Sequence, residues 1–289
     1  MKTSFQPLMS VAAVIWLAAV STTPAQEKKE AQPPAKAVSI FPDKNLEKAV
    51  RRAVFEKRDN DQPITEKDVE NISTVDGKGL GITDLTGLEK CRALAALDLA
   101  KNQIKNLAPL KGLARLQYLN LAENQIEDVS PLKEDYALQY LELSGNRVKD
   151  ISALAGLTNM ASLYLSRNVI TDIKPVTGLR RLASLYLDGN LVTSLQGLGN
   201  LAWLGTLSLN DTGLSDLSGL DGVRNLNHLF VERNKLADLG PLLAIVKRDA
   251  EGEQRFAPFL NLYLTGNPLS SAGKSTVTKL KSHGVRVQE

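Results

Sequence analysis

The chain is poor in the residues that carry most chemistry. It has one cysteine, Cys91, and two histidines, His228 and His283, in 289 residues. A single thiol cannot close an internal disulfide. Two histidines so far apart offer no pair for a metal or a catalytic dyad, and Cys91 falls on a turn, away from the stretch that carries His228. The net charge is only +3, and the basic pairs Arg51-Arg52, Arg180-Arg181 and Lys247-Arg248 are scattered along the chain. Nothing therefore gathers a basic face for nucleic acid. Ala272-Gly273-Lys274-Ser275-Thr276 looks like half of a phosphate loop, but its required first glycine is Pro268. The expectation is a chain without catalysis, cofactor or metal.

Long apolar runs are also missing, except at the start. Lys2 precedes an apolar run from Leu8 to Val20, broken only by Ser10, and Ser21-Thr22-Thr23-Pro24-Ala25 follows with small residues. As helix that run would span about 20 Å, short of the roughly 30 Å hydrocarbon core. Residues 1–25 are thus expected to be a cleaved secretory signal, exporting the protein to a periplasm or to the medium with no stable membrane span. Residues 26–38, QEKKEAQPPAKAV, are charged and proline-bearing, and are expected to be a disordered linker.

What the chain has in abundance is leucine at fixed intervals. The pattern L-x-x-L-x-L-x-x-N-x-[IVL] places its asparagine at Asn102, Asn124, Asn146, Asn168, Asn190, Thr212 and Asn234, twenty-two residues apart each time. An eighth copy, around Leu262 and Asn267, follows a spacing longer by eleven residues. Such a period marks a leucine-rich-repeat solenoid, in which each unit buries its apolar face only against its neighbours. The expected fold is an α/β horseshoe: a parallel concave β-sheet, short helical turns on the convex side, and caps at both ends. Asp84, Asn106, Asp128, Asp150, Asp172, Ser194, Asp216 and Asp238 precede the expected turns, several followed by proline, as helix-capping residues do. That role accounts for the carboxylate ladder without calcium.

An array needs its open ends covered. Residues 39–72 are expected to form a helical N-terminal cap: Pro42-Asp43 opens a helix that Pro63 stops, and Thr65 with Asp68 forms a capping box for a second one. Repeats are assigned to 73–269, about one degenerate unit plus eight regular ones. The insertion near 244–257 is read as a lengthened helix and loop on the outer side. Residues 270–289 form a C-terminal cap, with a helix from Ser271 to His283, Gly284 as its stop and Val285-Arg286-Val287 as a last strand.

The twenty-two-residue unit, clearest in LQYLNLAENQIEDVSPLKE at 116–134, resembles the bacterial internalin-type leucine-rich repeat proteins. FPDKNLEKAVRRAV…PITEKDV is similar to that family's helical N-terminal cap, and NPLS…GVRV to a common way such arrays end. The resemblance covers residues 40 to 289 and implies a binding array. It includes no wall-anchoring tail and no second domain after the repeats, which counts against an adhesive role.

Between the leucines, alternate residues of each strand point out of the concave face. One outward column holds Ala96, Tyr118, Tyr140, Ser162, Ser184, Thr206, His228 and Asn261; the next holds Asp98, Asn120, Glu142, Tyr164, Tyr186, Ser208, Phe230 and Tyr263. Five of the six tyrosines fall in these two columns, where the framework does not need them. Strands stand ~4.8 Å apart, so an aromatic diagonal should run over four repeats and resume beyond Ser208. The expected partner-binding residues are Tyr118, Tyr140, Glu142, Tyr164, Arg167, Tyr186, Asp188, His228, Phe230 and Tyr263. Asp98, Glu123, Glu142, Asp188, Asp211 and Glu232 outnumber Lys101, Arg167 and Arg233 on this face, so the expected partner is a protein with a neutral to basic surface. A glycan or cell-wall polymer on the same aromatic face is the alternative. A purely structural envelope component is the third reading, in which the rings merely shield the sheet.

Overall fold

The computed structural model describes residues 38–289; the expected signal segment and nearly all of the linker lie outside the described residues. Ten three-residue strands form one parallel sheet in strict chain order: β1 (Thr74–Asp76), β2 (Ala96–Asp98), β3 (Tyr118–Asn120), β4 (Tyr140–Glu142), β5 (Ser162–Tyr164), β6 (Ser184–Tyr186), β7 (Thr206–Ser208), β8 (His228–Phe230), β9 (Asn261–Tyr263) and β10 (Arg286–Gln288). The register never slips: Leu97, Leu119, Leu141, Leu163, Leu185, Leu207, Leu229 and Leu262 are successive partners. Their side chains are fully buried, and with Leu99, Ile104, Leu107, Leu110 and their counterparts they make one continuous core.

The convex side returns through 3-10 turns such as Ala108–Leu110, Ser130–Glu134, Ser152–Gly156 and Lys174–Gly178. The capping residues bond differently from a helix N-cap. Asn106, Asp128, Asp150 and Asp172 each accept the N–H two residues ahead, at 2.8 to 2.9 Å, as Asx turns do. They therefore launch a tight 3-10 turn from one position before its formal cap.

The repeated asparagine joins each unit to the one before it. Asn146 accepts the Ile126 N–H at 3.0 Å and donates to the carbonyls of Leu121 and Leu143 at 2.9 Å. Asn124, Asn168 and Asn190 repeat this pattern, and Asn267 carries it across the insertion. Thr212 is too short to do so. Its hydroxyl bonds forward to Asn234 and to the Leu209 carbonyl.

Helix α1 (Lys44–Ala53) starts at Asp43, whose Oδ1 accepts from Asn45 and Leu46 and whose Oδ2 accepts from Thr83 and Asp84. One carboxylate thus caps the helix and ties it to the first repeat. The helix stops at Ala53, ten residues before Pro63, which corrects the expectation. The Arg51 guanidinium gathers the carbonyls of Lys57, Asn60 and Gln62, and holds the chain in a closed loop after the helix. The capping box of Thr65 and Asp68 opens α2 (Glu66–Val69). Beyond β8, α3 (Gly240–Glu251) takes up most of the insertion. Then α4 (Ser271–Ser282) ends at Gly284, with φ +91°, and leads into β10.

One position breaks the leucine pattern. The buried column Cys91, Leu113, Asp135, Leu157, Leu179, Leu201 and Val223 has a carboxylate in its third place. Asp135 is fully buried, and neither of its oxygens has a hydrogen-bond partner. Burial pushes its pKa up to about 7, against the nearby Gly112 N–H and with help from the Glu134 charge. Below the ordinary value of 3.8 the group is neutral in folded and unfolded chains alike. Between there and pH 7 only the folded chain keeps the proton, so stability falls as pH rises and levels off above. The loss should be on the order of 4 kcal/mol in all, of which roughly 3 kcal/mol falls between pH 5 and pH 8. Urea unfolding at pH 5 and pH 8 should show that slope, and Asp135→Leu should remove it and stabilise the chain most at pH 8. An unchanged slope in the variant would place the pH dependence elsewhere. Cys91, in the same column, is a buried thiol pushed up to about 12 by burial, with the Glu89 charge adding to it, and is inert packing.

Candidate functional site

The in-step register stacks the outward residues of neighbouring strands directly above one another. The Tyr118 and Tyr140 ring centroids lie 4.5 Å apart with planes 13° apart, and those of Tyr164 and Tyr186 lie 4.8 Å apart, also at 13°. Tyr140 and Tyr164 meet diagonally at 5.2 Å with their planes 42° apart, closer than the diagonal of about 8 Å that strand geometry alone would give. Beyond β7 a second group forms: Phe230 stacks on Tyr263 at 4.3 Å, and His228 lies beside Phe230 with planes 9° apart. All these rings are half-buried. Burial raises the Tyr140 hydroxyl pKa, with Glu142 and the neighbouring tyrosines adding to it. For Tyr186 burial, Tyr164 and Asp188 act in the same direction. Both stay neutral phenols, able to donate and accept.

The charged residues are more committed than their positions suggest. Asp188 Oδ1 accepts from the Ser208 hydroxyl at 2.5 Å and the Asn210 N–H at 2.8 Å, and its Oδ2 accepts from the Ser166 hydroxyl at 3.2 Å. It braces the segment after β6 to β7. Glu142 Oε1 accepts from the Ser144 N–H at 2.7 Å.

Arg167 belongs to a feature that the composition of the repeats did not reveal. The residue before each ladder position is left-handed: Lys101, Glu123, Gly145, Arg167, Gly189, Asp211, Arg233 and Gly266 all have φ between 51° and 79°. Glycine fits this conformation without strain, yet five of the eight positions carry a charged side chain. Arg167 reaches across Gly145 to Glu123 at 3.8 Å, and Arg233 pairs with Asp211 at 2.7 Å. The charges form a rim along one edge of the aromatic strip. Just beyond that rim, Val169 and Leu191 are exposed on neighbouring repeats.

Other surfaces offer less. A pocket of about 280 Å³ lies beside α3, but most of its charges are already matched. Arg248 pairs with Asp221, Arg255 with Glu253, and Asp249 accepts the backbone N–H groups of Arg255, Phe256 and Ala257. Among the described residues no group of His, Cys, Asp or Glu is placed to hold a metal ion, and no helix is long and apolar enough to cross a membrane.

The chain is similar over 89% of its length to internalin C2 of Listeria monocytogenes, at 30% identity and a TM-score of 0.61, and covers 99% of that structure. It belongs to the internalin-type leucine-rich repeat family. Within this internalin-type array, residues 92–134 and 137–178 match the model for leucine-rich repeats in two copies. A leucine-rich repeat protein of Leptospira interrogans shares the fold at 22% identity and a TM-score of 0.54, over 70% of this chain and 56% of that one. PEPR1–AtPEP1 does so at 19% identity and 0.51, over 63% and 29%. No curated protein matches in sequence.

A left-handed arginine costs about 1 kcal/mol relative to glycine, and an exposed ion pair at this distance returns little. Arg167→Gly should therefore raise the urea midpoint by up to about 1 kcal/mol of stability with the denaturant slope unchanged. A lower midpoint would mean that Arg167 is there to hold the fold.

Proposed function

We propose that this internalin-type array is an exported, non-catalytic binding protein that holds another protein on its concave face. Tyr118, Tyr140, Tyr164, Tyr186 and Phe230 are its anchors, with Glu142, Arg167, His228 and Tyr263 around them. One observation carries the reading: aromatic rings stand half-exposed and stacked in two columns that the leucine core does not require. Pre-stacked rings lose little entropy on contact and offer large areas, as binding anchors do.

The geometry also bears on the glycan alternative. Sugars pack on the open faces of aromatic rings, whereas within the Tyr118–Tyr140 and Tyr164–Tyr186 pairs each ring covers one face of its neighbour and leaves its edge and hydroxyl free of that contact. Edges and hydroxyls suit peptide groups and apolar side chains better. The acidic excess of the face favours a neutral to basic partner surface. Because the rings supply most of the affinity, raising salt from low to moderate should weaken binding far less than a thousandfold.

Affinity capture tests this with residues 26–289 and a Tyr140→Ala/Tyr164→Ala/Tyr186→Ala variant, from envelope extract and culture medium. Circular dichroism should show the same folded array for both. A discrete protein band retained by the parent and lost at least tenfold by the variant is the expected result. Equal capture by both would make the rings a shield for the sheet, and a polysaccharide retained by the parent alone would favour the glycan.

A further inference from the structure

The aromatic stack has one rung missing. In the second outward column the order is Tyr164, Tyr186, Ser208, Phe230, Tyr263, on the successive strands β5 to β9. The rings on either side of Ser208 stack with their outer neighbours at 4.8 and 4.3 Å, so both stacks run along the strand-pairing direction. Tyr186 and Phe230 therefore each turn an uncovered face toward the other across β7. Two strand spacings separate them, about 9 to 10 Å. A planar group in van der Waals contact with both needs about 7 to 8 Å. The floor is small and polar, made by Thr206 and the buried Ser208. His228, its ring nearly parallel to that of Phe230 at 6.2 Å, stands beside one wall.

The end of this slot is acidic. Asp188, Asp211 and Glu232 lie on the segments just past the strand ends of β6, β7 and β8, with only Arg233 among them in opposition. The Ser208 hydroxyl is already given to Asp188, which fixes that carboxylate at the edge of the floor. Aromatic faces on two sides with a surplus of negative charge at the end suit a flat cation, and guanidinium is the flat cation of proteins. Lysine's ammonium is compact and strongly hydrated, and fills a planar slot poorly.

We propose that the slot over Ser208 receives an arginine side chain of the partner polypeptide, sandwiched between Tyr186 and Phe230. This rests on the concave face being the binding surface, and it names the chemistry recognised at one point on it. The tyrosines on β3 to β6 then supply general adhesion, and the slot supplies selectivity.

Two measurements test the slot separately from the face. In the first, Nα-acetyl-arginine amide is titrated into the protein, with the lysine and phenylalanine amides as controls, and the ring resonances of Tyr186 and Phe230 are followed by NMR. Both rings should shift together with the arginine amide at low-millimolar concentration, and at least fivefold less with the lysine amide. The Ser208→Tyr variant, which fills the missing rung, should abolish the shifts. Silence up to 50 mM, equal response to lysine, or stronger response to phenylalanine would overturn the proposal. In the second, Ser208→Tyr joins the affinity capture beside the triple tyrosine variant, after circular dichroism shows that it is folded. Loss of the partner band at least fivefold in both supports the slot. Loss only in the triple variant overturns the slot and leaves the face standing, and loss in neither overturns both.

Discussion

The carboxamide of the repeated asparagine is the constraint from which the rest follows. A strand of three residues cannot hold a sheet together through its own ladder alone. Each asparagine is buried, apart from the half-buried Asn267, and it ties a backbone N–H and carbonyl of the preceding turn to its own unit. Burying that amide without partners would cost on the order of 1–3 kcal/mol for each orphaned group, so a shifted unit is penalised at once. Register is then fixed, and with it the stacking of every outward side chain. Stacked tyrosines at 4.5 and 4.8 Å are what a fixed register produces once tyrosines occupy matching positions.

The same regularity makes departures readable. Thr212 interrupts the ladder in the unit whose strand also carries Ser208, so the ladder break and the gap in the rings occur in one repeat. There the bracing passes to side chains on the open face, through Asp188, Ser208 and Asn210. Asp135 is a departure of another kind: a leucine position given to a carboxylate, at a cost that depends on pH. The left-handed rim is a third, where charge is kept in a conformation that glycine adopts freely.

Most of the architecture was legible in the chain itself. Leucine and asparagine periodicity defines the solenoid, the strand positions and the outward columns, because side-chain direction alternates along a strand without exception. The closing segment, α4, Gly284 and the last strand, follows from capping chemistry. The end of α1 was not legible, because Arg51 stops it through carbonyls six to eleven residues away, and no local pattern encodes that. Asp135 was present in the sequence as a mismatch in the LKED segment, visible only when the repeats are aligned column by column. The rim was hidden because left-handed backbone leaves a signature only where glycine is chosen. The ring stacking was half legible: spacing predicted neighbours, but not the closure of Tyr140 on Tyr164, nor two open faces across one strand.

The framework and the proposed binding face use different residues, and that separation is the centre of the account. Hydroxyl-radical footprinting of the array with its captured partner measures it directly. Tyr118, Tyr140, Tyr164, Tyr186 and Phe230 should lose labelling on binding. Tyr136, Trp203 and Phe259, which are exposed outside the two columns, should label as before. Protection of those three, with the concave rings unchanged, would contradict the account.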